Sequence, residues 1–228
     1  MNILDAETKV ADLVTHRPSL SRLMDRLGID YCCHGRRSLS AACADKALDV
    51  KAVLEQIAQS LEDPAEKTLQ DLNLTQLVEH IVSLHHDYLR ECLPLLSRQV
   101  ERVAAVHGSS HPELIEVRRI FHAFSSEMLE HMAKEEQILF PAICRLERDG
   151  HTQVPLQRII GVMETEHGQS GDALAQLREL TRGYAPPEGA CTTYRSMLSG
   201  LAELEEDTHL HVHAENHILF PRALQLAT

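Results

Sequence analysis

His131-Met132-Ala133-Lys134-Glu135-Glu136-Gln137-Ile138-Leu139-Phe140-Pro141 and His211-Val212-His213-Ala214-Glu215-Asn216-His217-Ile218-Leu219-Phe220-Pro221 are one phrase written twice. Each copy has a His, a Glu four residues later, and then Ile-Leu-Phe-Pro; both positions are displaced by 80 residues (131 to 211, 135 to 215). On a helix, residues i and i+4 lie on one face, one turn apart. A His and a Glu held in that way flank a metal from one side. Two such helices facing each other supply two imidazoles and two carboxylates, the skeleton of a dinuclear centre inside a helical bundle.

Two further helices must complete a symmetric site. Upstream of each phrase stands a candidate, His86 in Leu84-His85-His86-Asp87-Tyr88 and His167 in Met163-Glu164-Thr165-Glu166-His167-Gly168, spaced 45 and 44 residues from the next motif (86 to 131, 167 to 211). The region therefore reads as two helical hairpins of similar design, related by a shift of about 80 residues. Pairing them gathers His86, His131, Glu135, His167, His211 and Glu215. Four imidazoles with two carboxylates suit iron or manganese better than magnesium or calcium. Bridging glutamates would leave coordination positions for an oxo bridge or a small exogenous ligand. His85 competes with His86, and the near-equal spacing favours His86. His80, His107, His111, His122, His151 and His213 read as surface or satisfied core residues, and the Ile-Leu-Phe-Pro tails as apolar packing followed by a kink.

Glu127 precedes His131 by one turn on the same face, and Glu164 and Glu166 precede His167, Glu164 by three residues. Each is either a carboxylate that orients an imidazole or moves a proton, or a solvated charge. Lys134, Glu136 and Arg178 read as surface.

Around this centre the chain falls into helices. Asn73 to Val106 is expected to be helical with a kink or break at Pro94. A second helix runs from about Pro112 to before Gly150, bent at Pro141. A third spans about Val154 to Arg182, ending at Gly183, and a fourth starts between Pro187 and Thr193 and runs to about Leu224, bent at Pro221. Short connections make an antiparallel four-helix bundle the economical packing of residues 72–228. Residues 1–62 read as a small helical domain. Leu20, Leu23, Met24 and Leu27 follow Pro18 at helical spacing and Gly28 stops the run; shorter helices follow from about Ser40 and from Asp49, an N-cap. The polar stretch 63–71, with Pro64, is the expected linker. The fold class is all-α.

Composition narrows the function. The chain has 228 residues, 43% hydrophobic, no Trp and a net charge of −12. That charge argues against nucleic acid or an anionic membrane surface as partner. No apolar run is long enough to span a bilayer, and the N-terminus lacks a signal-peptide pattern. A cytoplasmic protein is expected, with its six Cys reduced. Cys32 and Cys33 lie in the polar loop Asp30-Tyr31-Cys32-Cys33-His34-Gly35-Arg36-Arg37. Adjacent cysteines close only a strained disulfide, and His34, Arg36 and Arg37 create an electropositive setting that favours thiolate; the alternative is two ordinary reduced cysteines in a helical loop. Cys43, Cys92, Cys144 and Cys191 read as packing residues.

On these motifs the C-terminal region resembles a hemerythrin-like (HHE) domain. The whole chain resembles the RIC family of iron–sulfur cluster repair di-iron proteins, of the YtfE/ScdA type, whose small N-terminal domain carries a Cys-Cys loop like that of Cys32 and Cys33. The resemblance implies a non-haem centre of two iron ions, with His86, His131, His167 and His211 as terminal ligands and Glu135 and Glu215 as bridges. It implies repair of clusters damaged by nitric oxide or oxidants, with damaged iron–sulfur proteins as partners. A reversible O2 or nitric oxide sensor or carrier, and a nitric oxide reductase, are the alternatives at the same centre. Whether the chain forms a homodimer is left open.

Overall fold

The computed structural model describes residues 5–61 and 68–227. Most of the 63–71 linker therefore lies outside the described residues. Among them every named element is helical, and the single β-bridge joins Lys9 to Ser38. The N-terminal helices are α1 (Val10–His16), α2 (Leu20–Leu27), α3 (Leu39–Asp45) and α4 (Val50–Ser60). α1 is absent from the sequence reading, because seven residues carry too short a periodicity to stand out. Gly28 does end α2 in the left-handed conformation, with φ of 65°, and the Asp49 side chain accepts from Lys51 N–H to start α4. The buried Arg17 guanidinium donates to the carbonyls of Ser60 and Leu61 (3.4 and 3.1 Å), tying α1 to the otherwise unsatisfied end of α4.

Four long rods follow. The first is α5 (Leu74–Ile81), a π-helical turn (Val82–His86) and α6 (Asp87–His107). The second is α7 (Glu113–Lys134), a π turn (Glu135–Leu139) and α8 (Phe140–Asp149). The third is α9 (Leu156–Leu180), and the fourth is α10 (Thr192–Ala214), a π turn (Glu215–Leu219) and α11 (Phe220–Leu226). α6 packs on α7 and α10, α7 on α9, and α9 on α10, which closes the antiparallel four-helix bundle.

The break considered at Pro94 is absent. Pro94 lies within the continuous helix α6, and the helical ladder changes instead at the π turns. Pro141 and Pro221 have no N–H to offer the carbonyl four residues back. Just before each, the chain widens by one residue, so that Phe140 N–H reaches Glu135 O and Phe220 N–H reaches Glu215 O.

Apolar side chains divide into three clusters. One, around Leu89, Phe121, Phe124 and Leu201, fills one end of the bundle, and a second, around Leu77, Ile143, Leu219 and Phe220, fills the other. The third is the core of the N-terminal helices, with Leu13, Leu20, Tyr31 and Leu39, and it includes Val212 from α10. The N-terminal unit is thus seated on the bundle helix that carries the second His/Glu phrase.

Candidate metal centre

Between the two bundle cores lies a polar layer. His86, Glu135, His211 and Glu215 converge in one group, and His131, Glu135, His167 and Glu215 in another, with the potential ligand atoms of each group within 4.8 Å of one another. All six residues are buried. Glu135 directs Oε2 at His86 Nε2 (3.4 Å) and Oε1 at His131 Nε2 (3.3 Å). Glu215 directs Oε1 at His211 Nε2 (3.1 Å) and Oε2 at His167 Nε2 (3.0 Å). Each carboxylate therefore faces both groups, one oxygen apiece. The π turns begin at these two glutamates, and a third ends at His86.

The outer nitrogens fix how the rings are protonated. His86 Nδ1–H donates to Glu136 Oε1 (2.6 Å), His131 Nδ1–H to Glu166 Oε2 (2.8 Å) and His167 Nδ1–H to Asn216 Oδ1 (2.8 Å). Glu136 is held below the usual carboxylate range: burial opposes this, but His86 and Arg90 more than offset it. Glu166 is held low against burial by Lys134 and His131. When neutral, these three rings turn Nε2 lone pairs inward, where His86 Nε2 meets His211 Nε2 at 3.1 Å and His131 Nε2 meets His167 Nε2 at 3.0 Å.

Such a layer fits cations. Both oxygens of Glu135 and Oε2 of Glu215 are buried and make no hydrogen bond, with only imidazole nitrogens opposite them, and buried carboxylates are costly unless positive charge joins them. The cluster draws positive charge. Burial disfavours charge on His131, but Glu135 and Glu215 outweigh it and push its pKa up to about 9. His86 is raised in the same way, against burial, by Glu135 and Glu215. His211, fully buried, is instead lowered. Imidazole nitrogen with carboxylate oxygen is a donor set for iron, manganese or zinc.

Several supporting residues were hidden from the sequence. Glu136, read as surface, orients His86 and is held by Arg90, because the π turn starting at Glu135 re-aims the following side chains. The 80-residue shift, applied one position past the glutamates, links Glu136 to Asn216 and was the available signal. Lys134 pairs with Glu166 (2.5 Å). Arg178 clamps the buried Glu205 (2.8 and 3.1 Å) and covers Tyr184, joining α9 to α10. The tail phenylalanines cover ligand rings: Phe140 stacks on His86 and Phe220 on His167. His85 stands outside both ligand groups, donating to Asp207 (2.8 Å) and stacking on His211. Glu127 is exposed and outside both groups, and Glu164 pairs with Arg36 (2.6 Å). His213 is a satisfied core residue, bonded to Thr15 and the Tyr31 carbonyl. Cys191 is exposed rather than packed.

Cys32 and Cys33 lie against the second hairpin. Their sulfurs are 3.6 Å apart, unbonded, and all six cysteines are free. Asp30 organises the loop by accepting from the backbone N–H of Cys32, Cys33 and His34. Gly35 is required there, because a Cβ would stand 2.2 Å from Tyr31 O. The electropositive thiolate setting is absent: His34 is bound to Asp30, Arg36 to Glu164 and Arg37 to Asp45. The neighbouring Cys33 thiol, burial and Asp30 instead push the Cys32 pKa well up. Cys33 Sγ–H points to the backbone carbonyl of His167 (3.4 Å), and a cleft of about 550 Å³ opens beside both thiols.

Comparison with known proteins places this arrangement. Residues 77–223 match the hemerythrin HHE cation-binding domain family, and residues 6–61 match ScdA_N, described as a domain of unknown function. The iron–sulfur cluster repair protein ScdA of Staphylococcus haemolyticus is 37% identical over 94% of this chain and 96% of its own. The repair proteins YtfE of Citrobacter koseri and Escherichia coli O8 are each 36% identical over the same shares. The chain belongs to the iron–sulfur cluster repair family. As a hemerythrin HHE protein of that family it carries a metal-binding bundle. Among its described residues no helix is long and apolar enough to cross a membrane.

Proposed function

We propose that this chain is a di-iron protein that restores iron–sulfur clusters damaged by nitric oxide or oxidants. The observation that carries the reading is the pair of buried carboxylates, Glu135 and Glu215, each facing imidazoles of both groups, with three of their four oxygens making no hydrogen bond. In this reading His86 and His211 would hold one iron and His131 and His167 the other, with Glu135 and Glu215 each able to serve both. Iron held there supplies open coordination positions for nitric oxide or O2 and is itself the material returned to a damaged cluster. The chain's own residues do the rest. Glu136, Glu166 and Asn216 accept from the outer nitrogens of three histidines and aim their inner nitrogens at the centre, and apolar cores flank the layer on both sides. The thiols of Cys32 and Cys33, on the cleft, are the group that would receive iron, each releasing its proton as it binds. Residues 1–62 then form the thiol-bearing domain, 63–71 the linker and 72–228 the iron-bearing domain. Free cysteines throughout fit a reducing, cytoplasmic setting. Repair is favoured over carriage or reduction of a gas because the relatives are named for it and because a carrier has no use for a thiol loop.

The test is recovery of activity by an iron–sulfur hydratase inactivated with nitric oxide. Iron-loaded protein restores it, and protein with Cys32→Ser and Cys33→Ser restores it several-fold less while keeping its iron. Equal recovery with iron salt alone contradicts the reading.

A further inference from the structure

Asn216 occupies the place in the second hairpin that Glu136 occupies in the first, one residue past the facing glutamate. Both accept the Nδ1–H of the upstream histidine of their own hairpin, Glu136 from His86 and Asn216 from His167. Their other ends differ. Glu136 is bound by Arg90, whereas the Asn216 amide donates to the carbonyl of Cys32 (3.1 Å). His217, the next residue, donates its Nε2–H to the same carbonyl (2.8 Å). A carboxylate at 216 could accept from His167 but has no hydrogen with which to reach Cys32. The carboxamide serves both partners, its oxygen accepting from His167 and its NH2 donating to Cys32. The second link between loop and site is the Cys33 thiol on the His167 carbonyl. It is a close fit, since a Cβ on Gly171 would stand 3.2 Å from that sulfur. His131 and His211 make no such contact with the loop; their outer sides face Glu166 and His85.

We infer that Asn216 is a positioning residue that couples the thiol loop to the metal group of His131 and His167, so that metal held by His167 restrains Cys33. With metal at His167 Nε2 the ring would be fixed and its Nδ1–H would be a stronger donor to Asn216, which holds the Cys32 carbonyl and with it the peptide that carries Cys33. Such coupling is reciprocal: modification of Cys33 weakens metal binding by the factor by which metal restrains the loop. The inference rests on the reading of the six residues as an iron site and adds to it that the two halves of that site are unequal.

The experiment reads the rate at which iodoacetamide alkylates Cys33, followed by peptide mass spectrometry at fixed pH, in metal-free protein and in protein loaded anaerobically with ferrous ion. Iron content and circular dichroism are measured on the same samples. Iron is expected to slow alkylation at least several-fold in the unaltered chain and in Glu127→Ala, an exposed position outside both ligand groups. In Asn216→Asp, which keeps the acceptor for His167 and loses the donor to Cys32, the ratio is expected to fall toward one. A ratio of one in the unaltered, iron-loaded chain overturns the coupling, and so does a full ratio in iron-loaded Asn216→Asp. Should the Asp variant misfold, Asn216→Ala, which also removes the donor to Cys32, replaces it under the same criteria. Failure of the unaltered chain to bind iron is a different result: it brings down the reading of the site, and this inference with it.

Discussion

The two hairpins of the bundle carry the same ligand types at nearly the same spacing, yet the structure supports them differently. In the first, His86 rests on Glu136, itself held by Arg90. In the second, His167 rests on neutral Asn216, which reaches on to the thiol loop. The difference extends to the phrase histidines. His131 donates to Glu166, which Lys134 holds. The corresponding nitrogen of the buried His211 has no partner, and its ring is covered by His85. Duplication sets the ligands in place, and divergence of the neighbours sets the two halves apart. A carboxylate partner makes an imidazole more basic and a better donor to metal than an amide does. The supports of His86 and His167 thus differ both in charge and in what lies beyond them, Arg90 in the one case and the carbonyl of Cys32 in the other.

The largest expected effect tests what the hairpins share. Glu135→Ala or Glu215→Ala removes an anion facing both groups, so either variant should lose at least half of its iron, by metal analysis after anaerobic loading. A loss confined to one of the two would mean that only that carboxylate bridges.

The next effect tests the supports. Glu136→Ala and Glu166→Ala should each lower metal affinity by about 10- to 100-fold, the usual scale for removing a group that orients a metal-bound histidine. Competition with a chelator would show it, and wild-type affinity in both would make the outer carboxylates bystanders.

A smaller effect concerns the thiol loop. Burial raises the Asp30 pKa, but His34 and the backbone of Cys33 and Cys32 more than offset it and hold it below its ordinary value. A carboxyl whose folded pKa is depressed contributes its stability fully above the unfolded value and loses it as pH falls through the folded one. Hydrogen-exchange protection at the Cys32 and Cys33 amides should therefore fall on acidification through the low carboxylate range. Asp30→Asn should remove that pH dependence, and protection unchanged by pH in the unaltered chain would contradict the role given to Asp30.

The smallest effect is none. Glu127→Ala, on an exposed position outside both ligand groups, should leave iron content unchanged, in contrast to Glu166→Ala. A shared loss would place Glu127 in the site.

What the sequence disclosed follows from what periodicity encodes. His131 with Glu135 and His211 with Glu215 are one helical turn apart, and a repeated phrase exposes them directly. His86 and His167 needed only the matched spacing to the next motif. The four rods and Gly28 were legible for similar reasons, as local patterns of spacing and capping. Glu136 was misread because an α-helical wheel puts it about 100° from Glu135, and the π turn that re-aims it leaves no sign in sequence beyond the later proline. Pro94 shows the converse, a proline that a helix absorbs. The neutralised surroundings of Cys32 were illegible because Glu164 and Asp45, the partners of Arg36 and Arg37, come from other elements. His34 found its partner locally, in Asp30.

The central claim is that six buried residues from four rods hold two metal ions between two carboxylates. Metal analysis of the anaerobically prepared protein, supplied with iron, tests it most directly. The account predicts about two iron per chain, the stoichiometry of carboxylate-bridged bundle sites. One zinc per chain, or no bound metal, would contradict it.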